Sequence, residues 1–217
     1  QNALEYAKDR LQGRALDSKE NGVKNPNQEA DSIMVHGDVR RMLLTQKSIA
    51  EGGRAFIAYL AQLVDIGHVG KDEAEKASAE SKLALLTPIA KAFLTELGLE
   101  CTSHGVQVFG GHGYIKEWGM EQLMRDTKIS CLYEGTTGIQ ALDLLARKIL
   151  GSKGELIKPF AAEVTQFCTQ YISDEKMGEF ISPIITFAPT WQKMTQTIGL
   201  KGMQNPDEVG AASVDYL

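Results

Sequence analysis

GDVRRMLLTQKSIAEGGRAFIAYLAQLVDIG, residues 37–67, is the stretch on which the fold turns. Starting just ahead of it, Val35, Val39, Met42, Leu43, Ile49, Phe56, Ile57, Leu60, Leu63 and Val64 recur at three- and four-residue steps. That spacing gathers apolar side chains on one face of a helix. No alternation of period two longer than a few residues competes with it anywhere in the chain. The pattern predicts one long amphipathic helix from about Gly37 to Gly67. Such a helix must bury its stripe against other elements, and helical periodicity elsewhere supplies them, so the expected fold is all-α, an up-down bundle of long antiparallel helices.

Working toward the C-terminus, Glu73 to Ser81 is polar and helix-favouring and leads into Leu83, Leu86, Ile89, Phe93, Leu94 and Leu97. Pro88 lies inside this pattern and predicts a kink or a restart. The phase resumes through Cys101, Gly105, Val108 and Phe109 and breaks at Gly110-Gly111-His112-Gly113. A short helix from Glu117 to Thr127, an extended stretch from Ile129 to Tyr133 and a helix from about Thr136 to Leu150 follow, with Thr136 or Thr137 as its N-cap. Gly151-Ser152-Lys153-Gly154 has linker composition and marks a boundary. Residues 1–150 are therefore read as one helical domain and residues 151–217 as a helical extension. In the extension, Leu156, Phe160, Val164, Phe167 and Tyr171 form the core face of one helix. Phe180, Ile184, Ile185, Phe187, Trp191, Met194 and Ile198 line another, bent by Pro183 or Pro189.

Toward the N-terminus, the segment from about Ala15 to Ser32 holds Gly22, Pro26 and several asparagines and reads as a long loop. Before it, Leu4, Ala7 and Leu11 are already in helical phase with no capping residue ahead of them, as in the later turns of a longer helix. Asn205-Pro206-Asp207 starts a final helix in which apolar residues still arrive at Leu217. Both ends are thus expected to be truncations of a longer parent.

Composition excludes several classes. The apolar fraction of 43% and charged fraction of 24% are ordinary for a globular protein, and no apolar run approaches a membrane span. The net charge of −5, with Lys and Arg scattered among the acids, offers no field for a phosphate backbone, so nucleic acid is not expected as a partner. Cys101, Cys131 and Cys168 are odd in number and far apart, which fits neither a disulfide framework nor a zinc site and points to a reducing compartment. His104 and His112 are separated by a glycine break, so no metal site is expected. Nucleotide-phosphate, zinc-protease and serine-hydrolase signatures are missing.

What remains is Gln107-Val108-Phe109-Gly110-Gly111-His112-Gly113-Tyr114, then Arg125-Asp126, then Tyr133-Glu134-Gly135-Thr136-Thr137-Gly138-Ile139-Gln140. In order and spacing these resemble the C-terminal helical domain of the acyl-CoA dehydrogenases, from about Tyr6 to Leu150. From Gly151 onward the chain is similar, more loosely, to the subgroup with a long helical C-terminal extension. The resemblance implies an FAD-dependent oxidation of an acyl-CoA to the trans-2-enoyl-CoA, as in fatty acid β-oxidation. That reaction removes an α-proton while hydride leaves the β-carbon for the flavin, and so needs a carboxylate on the face opposite the ring. By the same resemblance Glu134 is the base, and Tyr133, Glu134 and Gly135 lie at the acyl thioester, with the Glu134 N–H bonding its carbonyl.

Arg10, Gln107, Gly110, Gly111 and Thr136 would touch the phosphate-bearing part of FAD, which in the family rests against a neighbouring subunit. After Arg10, Leu11-Gln12-Gly13 lacks the aromatic that many members carry, and Gly138 replaces a polar adenine contact of some. The resemblance also implies an N-terminal helical domain and a β-barrel domain that this sequence does not contain. Alone, the chain is expected to be inactive and to bind FAD weakly or not at all. Implied partners are an acyl-CoA, a homodimer or homotetramer and an electron-transferring flavoprotein. The implied location is the cytoplasm, or the mitochondrial matrix in a eukaryote. A related flavoprotein with a DNA-protecting, stress-response role and a non-catalytic oligomerisation module are the alternatives, the first disfavoured by the acidic balance.

Overall fold

The computed structural model describes residues 1–16 and 27–217. Over these the fold is all-α: α1 (Asn2–Asp9), α2 (Gly37–Val69), α3 (Glu73–Phe109), α4 (Met120–Lys128), α5 (Thr137–Leu142), α6 (Lys158–Tyr171), α7 (Gly178–Gln204) and α8 (Asp207–Tyr216). The described residues contain no strand, and an isolated antiparallel bridge joins Leu11 to Ser32. No described helix is long and apolar enough to cross a membrane. Most of the loop expected between Ala15 and Ser32 lies outside the described residues.

Residues 37–67 lie within α2, which is 33 residues long, and α3 runs 37 residues. α3 passes through Pro88 as one helix, so the proline does not restart it. Its ring is fully buried, and that burial offsets the lost backbone bond. Gly70, Lys71 and Asp72 connect the two helices: the Gly70 N–H closes on the Ile66 carbonyl at 2.9 Å, and Asp72 accepts from the Ala74 N–H at 2.8 Å to open α3. So short a connection makes α2 and α3 an antiparallel hairpin. A Cβ placed on Gly53 would lie 3.2 Å from the Leu94 side chain, and one on Gly67 would lie 3.6 Å from that of Glu80.

The chain divides into two compact units, and α2 and α3 contribute to both. The first comprises residues 1–56 and 94–134. Its core is Ala3, Ala7, Ile33, Met42, Val108, Phe109 and Met120, with Tyr6 and Val39 packed against it. α1 is fastened there by backbone bonds from Ile33 to Arg10, Gln12 to Asp31 and Asp31 to Gly13, each 2.9 Å. Asp31 is buried, and its carboxylate is matched by Arg14 at 3.1 Å and the Ala15 N–H at 2.9 Å. A buried carboxylate needs such partners to remain charged.

The second unit comprises residues 57–93 and 135–217. Leu85, Leu144, Leu145, Ile149 and Tyr216 form its core, with Phe160, Ile198 and Val209 against them. α6 is tied to the hairpin by Glu163, whose carboxylate accepts from the Tyr59 hydroxyl at 3.0 Å and from Lys82 at 2.6 Å.

Three local expectations are corrected. The stretch from Ile129 is not extended: a 3₁₀ turn over Ile129–Cys131 prolongs α4, and the Leu132 and Tyr133 N–H groups both bond the Ile129 carbonyl. Continued turns satisfy the carbonyls left open at the helix end and bury Cys131. The helix expected over Thr136–Leu150 is α only to Leu142, and Asp143–Leu150 widens to a π-helix. In α7 both prolines are interior, and Phe180, Ile184, Ile185, Phe187, Trp191 and Met194 are exposed while Ile181 is buried. A periodic stripe establishes which side chains share a face, not that another element covers it.

Candidate functional site

In the first unit, the end of α1, the start of α2 and the turn after α3 enclose an open cleft of about 570 Å³. Arg10, Gln107, Gly110 and Gly111, four of the residues expected at the cofactor, line it together, with Gln12, His36 and His112 beside them. The described residues that line it include no carboxylate. Arg10 is the C-cap of α1 and exposed; its guanidinium donates to the Gln12 side-chain oxygen at 3.5 Å and has further N–H groups with which to bond an anion. His36 bonds the Gln12 carbonyl at 2.8 Å, which makes its Nε2 the proton donor.

The glycine turn is built from the aromatic side chains around it. Phe109 turns into the core and stacks on Tyr6 with ring centres 4.1 Å apart. His112 stacks on Trp118 at 4.9 Å, and its Nδ1 lies 2.9 Å from the Tyr6 hydroxyl. With Phe109 and His112 so fixed, the backbone between them is held toward the cleft.

The glycines there answer to different demands. Gly110 has φ of 59°, a left-handed conformation costly to other residues. A Cβ on Gly113 would lie 2.4 Å from the Val106 carbonyl oxygen, so close approach dictates glycine. Gly111 has neither a positive φ nor any neighbour within 4 Å of where its Cβ would stand. The fold does not ask for glycine at 111.

Glu134 ends the first unit and Gly135 begins the second. Glu134 is exposed with φ of 53°, and Gly135 follows at 94°, two consecutive left-handed residues. For a glutamate this backbone costs about 1–2 kcal/mol, the kind of strain that gathers at functional sites. The φ of Gly135 requires glycine; a Cβ there would lie 2.8 Å from Gln140 Nε2, the movable end of a side chain, so crowding adds little. Tyr133 is 55% exposed. Thr136 is the N-cap of α5: its hydroxyl accepts from the Ile139 N–H at 3.4 Å, as its position ahead of the helix predicts. It belongs to the second unit and not to the unit that holds the cleft.

Sequence reasoning missed His36 as a cleft residue, weighed His112 only as a metal ligand, and missed Lys91. The half-buried Lys91 reaches from α3 to the Gly135 carbonyl. That contact spans 44 residues and ends on a backbone oxygen, which no side-chain motif announces.

Comparison with known proteins identifies the family. A family model described as acyl-CoA dehydrogenase, C-terminal domain, matches residues 10–150. The 3-methylmercaptopropionyl-CoA dehydrogenase of Ruegeria pomeroyi is 44% identical over 222 residues, covering 100% of this chain and 36% of that protein. A butyryl-CoA dehydrogenase of Syntrophomonas wolfei is 35% identical over 178 residues, covering 82% of this chain and 28% of that protein. The chain thus spans about a third of the length of the curated relatives it matches. Among solved structures, Caenorhabditis elegans ACDH-11 in complex with C11-CoA superposes with a TM-score of 0.75 at 20% identity, over 94% of this chain and 31% of that one, a likeness of fold. With its glycine turn and its Glu134 turn both inside the matched residues 10–150, the chain belongs to the acyl-CoA dehydrogenase family and carries that family's C-terminal domain.

Proposed function

We propose that this chain supplies the catalytic base and part of the flavin cradle for an FAD-dependent oxidation of an acyl-CoA to the trans-2-enoyl-CoA. The remaining parts of the site would come from chain of the kind its longer relatives possess. Residues 1–150 would act as the bundle domain and residues 151–217 as an appended extension.

The observation that carries the reading is Gly111. A glycine that neither φ nor packing requires, facing a cleft without carboxylates and beside Arg10, suits close backbone approach to an anion. The pyrophosphate of FAD is such an anion, and the residues present fit it. Arg10 would give charge-assisted bonds, and Gln107, Gly110 and Gly111 polar backbone or amide contacts. Thr136, the N-cap of α5, is proposed as a cofactor contact in its own right; in the family the phosphate-bearing part of FAD rests against a second copy of the chain. FAD, when bound, supplies the hydride acceptor opposite the base.

The Glu134 carboxylate would take the α-proton of the thioester, breaking that C–H bond and leaving its electron pair on the substrate. The Glu134 N–H would donate to the thioester carbonyl, where negative charge develops. Gly135, without a side chain, leaves room for the acyl group beside them. An acyl-CoA is the substrate, and an electron-transferring flavoprotein is the proposed electron acceptor.

Replacing Glu134 by Gln in the full-length enzyme tests the reading. Turnover is expected to fall by about two to four orders of magnitude, the usual contribution of a general base, with FAD still bound. Unchanged turnover with every acyl-CoA tried would sink it.

A further inference from the structure

We propose that Lys91 is a positioning residue for the base, holding the left-handed turn that aims Glu134. The inference rests on the reading of Glu134 as the base and extends it to a residue on α3.

Glu134 at φ of 53° and Gly135 at 94° form a turn that an L-residue leaves readily unless its surroundings hold it. The backbone on either side is fixed. Upstream, the Tyr133 N–H bonds the Ile129 carbonyl at 3.1 Å. Downstream, the Thr136 carbonyl receives the Gln140 N–H at 3.0 Å, and its hydroxyl caps α5. Between these anchors stands the Gly135 peptide, and Lys91 donates to its carbonyl. A turn carbonyl can ordinarily be left to water. Here a cationic donor reaches it from a helix 44 residues away in sequence.

Lys91 also sits in an improbable place for a lysine. Its neighbours along the buried side of α3 are Pro88 and Ala92, both fully buried, and Lys91 itself is half-buried. Drawing an ammonium toward a core costs free energy unless it bonds well, and a charged donor makes the stronger bond. The bond holds the Gly135–Thr136 peptide, the downstream end of the left-handed turn, and so restrains the turn on which the Glu134 Cα–Cβ vector and N–H depend. Without it, relaxation of the turn would shift both groups that act on the substrate.

The test uses the full-length, FAD-loaded enzyme. From butyryl-, octanoyl- and 3-methylmercaptopropionyl-CoA, the one that bleaches the wild-type flavin fastest serves as probe, with its α-deuterated form. Lys91→Met, Lys91→Arg and Glu134→Gln are compared by anaerobic stopped-flow, alongside FAD content and melting temperature. Lys91→Met is expected to keep its flavin and its melting temperature and to saturate at a similar substrate concentration. Its limiting rate of flavin reduction should fall on the order of tenfold to a hundredfold, as a misplacement near one ångström would cause. The α-deuterium isotope effect should rise, and Lys91→Arg should recover part of the rate.

A wild-type rate and isotope effect in Lys91→Met, with Glu134→Gln inactive, overturns the role of Lys91 and leaves the base assignment standing. An active Glu134→Gln overturns the base assignment itself. If Lys91→Met loses its flavin or fails to fold, Lys91→Gln, which keeps a neutral donor, is read by the same criteria. Loss of flavin there too, without rescue by Lys91→Arg, makes the lysine structural and ends the proposal.

Discussion

Three glycines in one turn carry three different messages. Gly110 is a backbone requirement, Gly113 a packing requirement, and Gly111 neither. Substitution should separate them. Gly113→Ala must push aside the Val106 carbonyl and is expected to destabilise the protein by about 1–3 kcal/mol. Gly111→Ala should leave the melting temperature where it is, yet weaken FAD binding in the full-length enzyme by about tenfold, or roughly 1.4 kcal/mol. Fluorescence titration of the apoprotein with FAD, beside a thermal melt, measures both. The glycine run itself was legible in the sequence, as was Glu134 between Tyr133 and Gly135. Which glycine the fold demands and which it does not was not, because that distinction lives in a dihedral angle and in distances to atoms far along the chain.

At the scale of helices, the tie between α6 and the hairpin is polar and therefore depends on pH. Burial first, then the Glu163 carboxylate accepting its hydrogen bond, then that carboxylate's charge push the Tyr59 hydroxyl up to about 12. Its folded value lies above the ordinary value near 10 of an unfolded chain. The stabilisation is thus fully present below pH of about 10 and is lost as pH rises through about 12. Thermal melts of wild type and Tyr59→Phe should show the wild-type advantage shrinking across that window. An advantage that stays constant would mean that the hydroxyl contributes nothing there. Helix positions were largely readable from apolar spacing: α2 begins at Gly37, as its pattern predicts, and Thr136 caps α5. The change to a π-helix at Asp143 was not, since one extra residue per turn leaves no mark in composition. Nor was the exposure of Phe187 and Phe180 on α7, since periodicity is silent about neighbours.

On the scale of the whole molecule, the described residues form two hydrophobic cores, one in each unit, whose energetics can be probed separately. Leu145 is completely buried among Leu85, Leu144, Ile149 and Tyr216. Leu145→Ala should cost about 2–5 kcal/mol, read as a lower midpoint in urea. The all-α class and the family were legible at this scale, the first from periodicity and the second from the motifs around Gln107 and Glu134. The division into units was not. It crosses α2 between Phe56 and Ile57 and α3 between Phe93 and Leu94, where both helices run on unbroken and no glycine or proline marks the place.

The hairpin of α2 and α3 also restricts how such a chain can change length. Gly53 meets Leu94, and Gly67, fourteen positions further on, meets Glu80, fourteen positions back. Fourteen residues are two heptads, the interval at which packed helices present the same face again. A residue inserted into either helix between those points would turn everything beyond it by about 100° and bring the wrong side chains into the seam. Insertions and deletions inherited over evolutionary time are therefore expected to collect at Gly70–Asp72 and outside the hairpin. Between Gly53 and Leu94, change should come by substitution, which an alignment of many relatives can check by where its gaps fall.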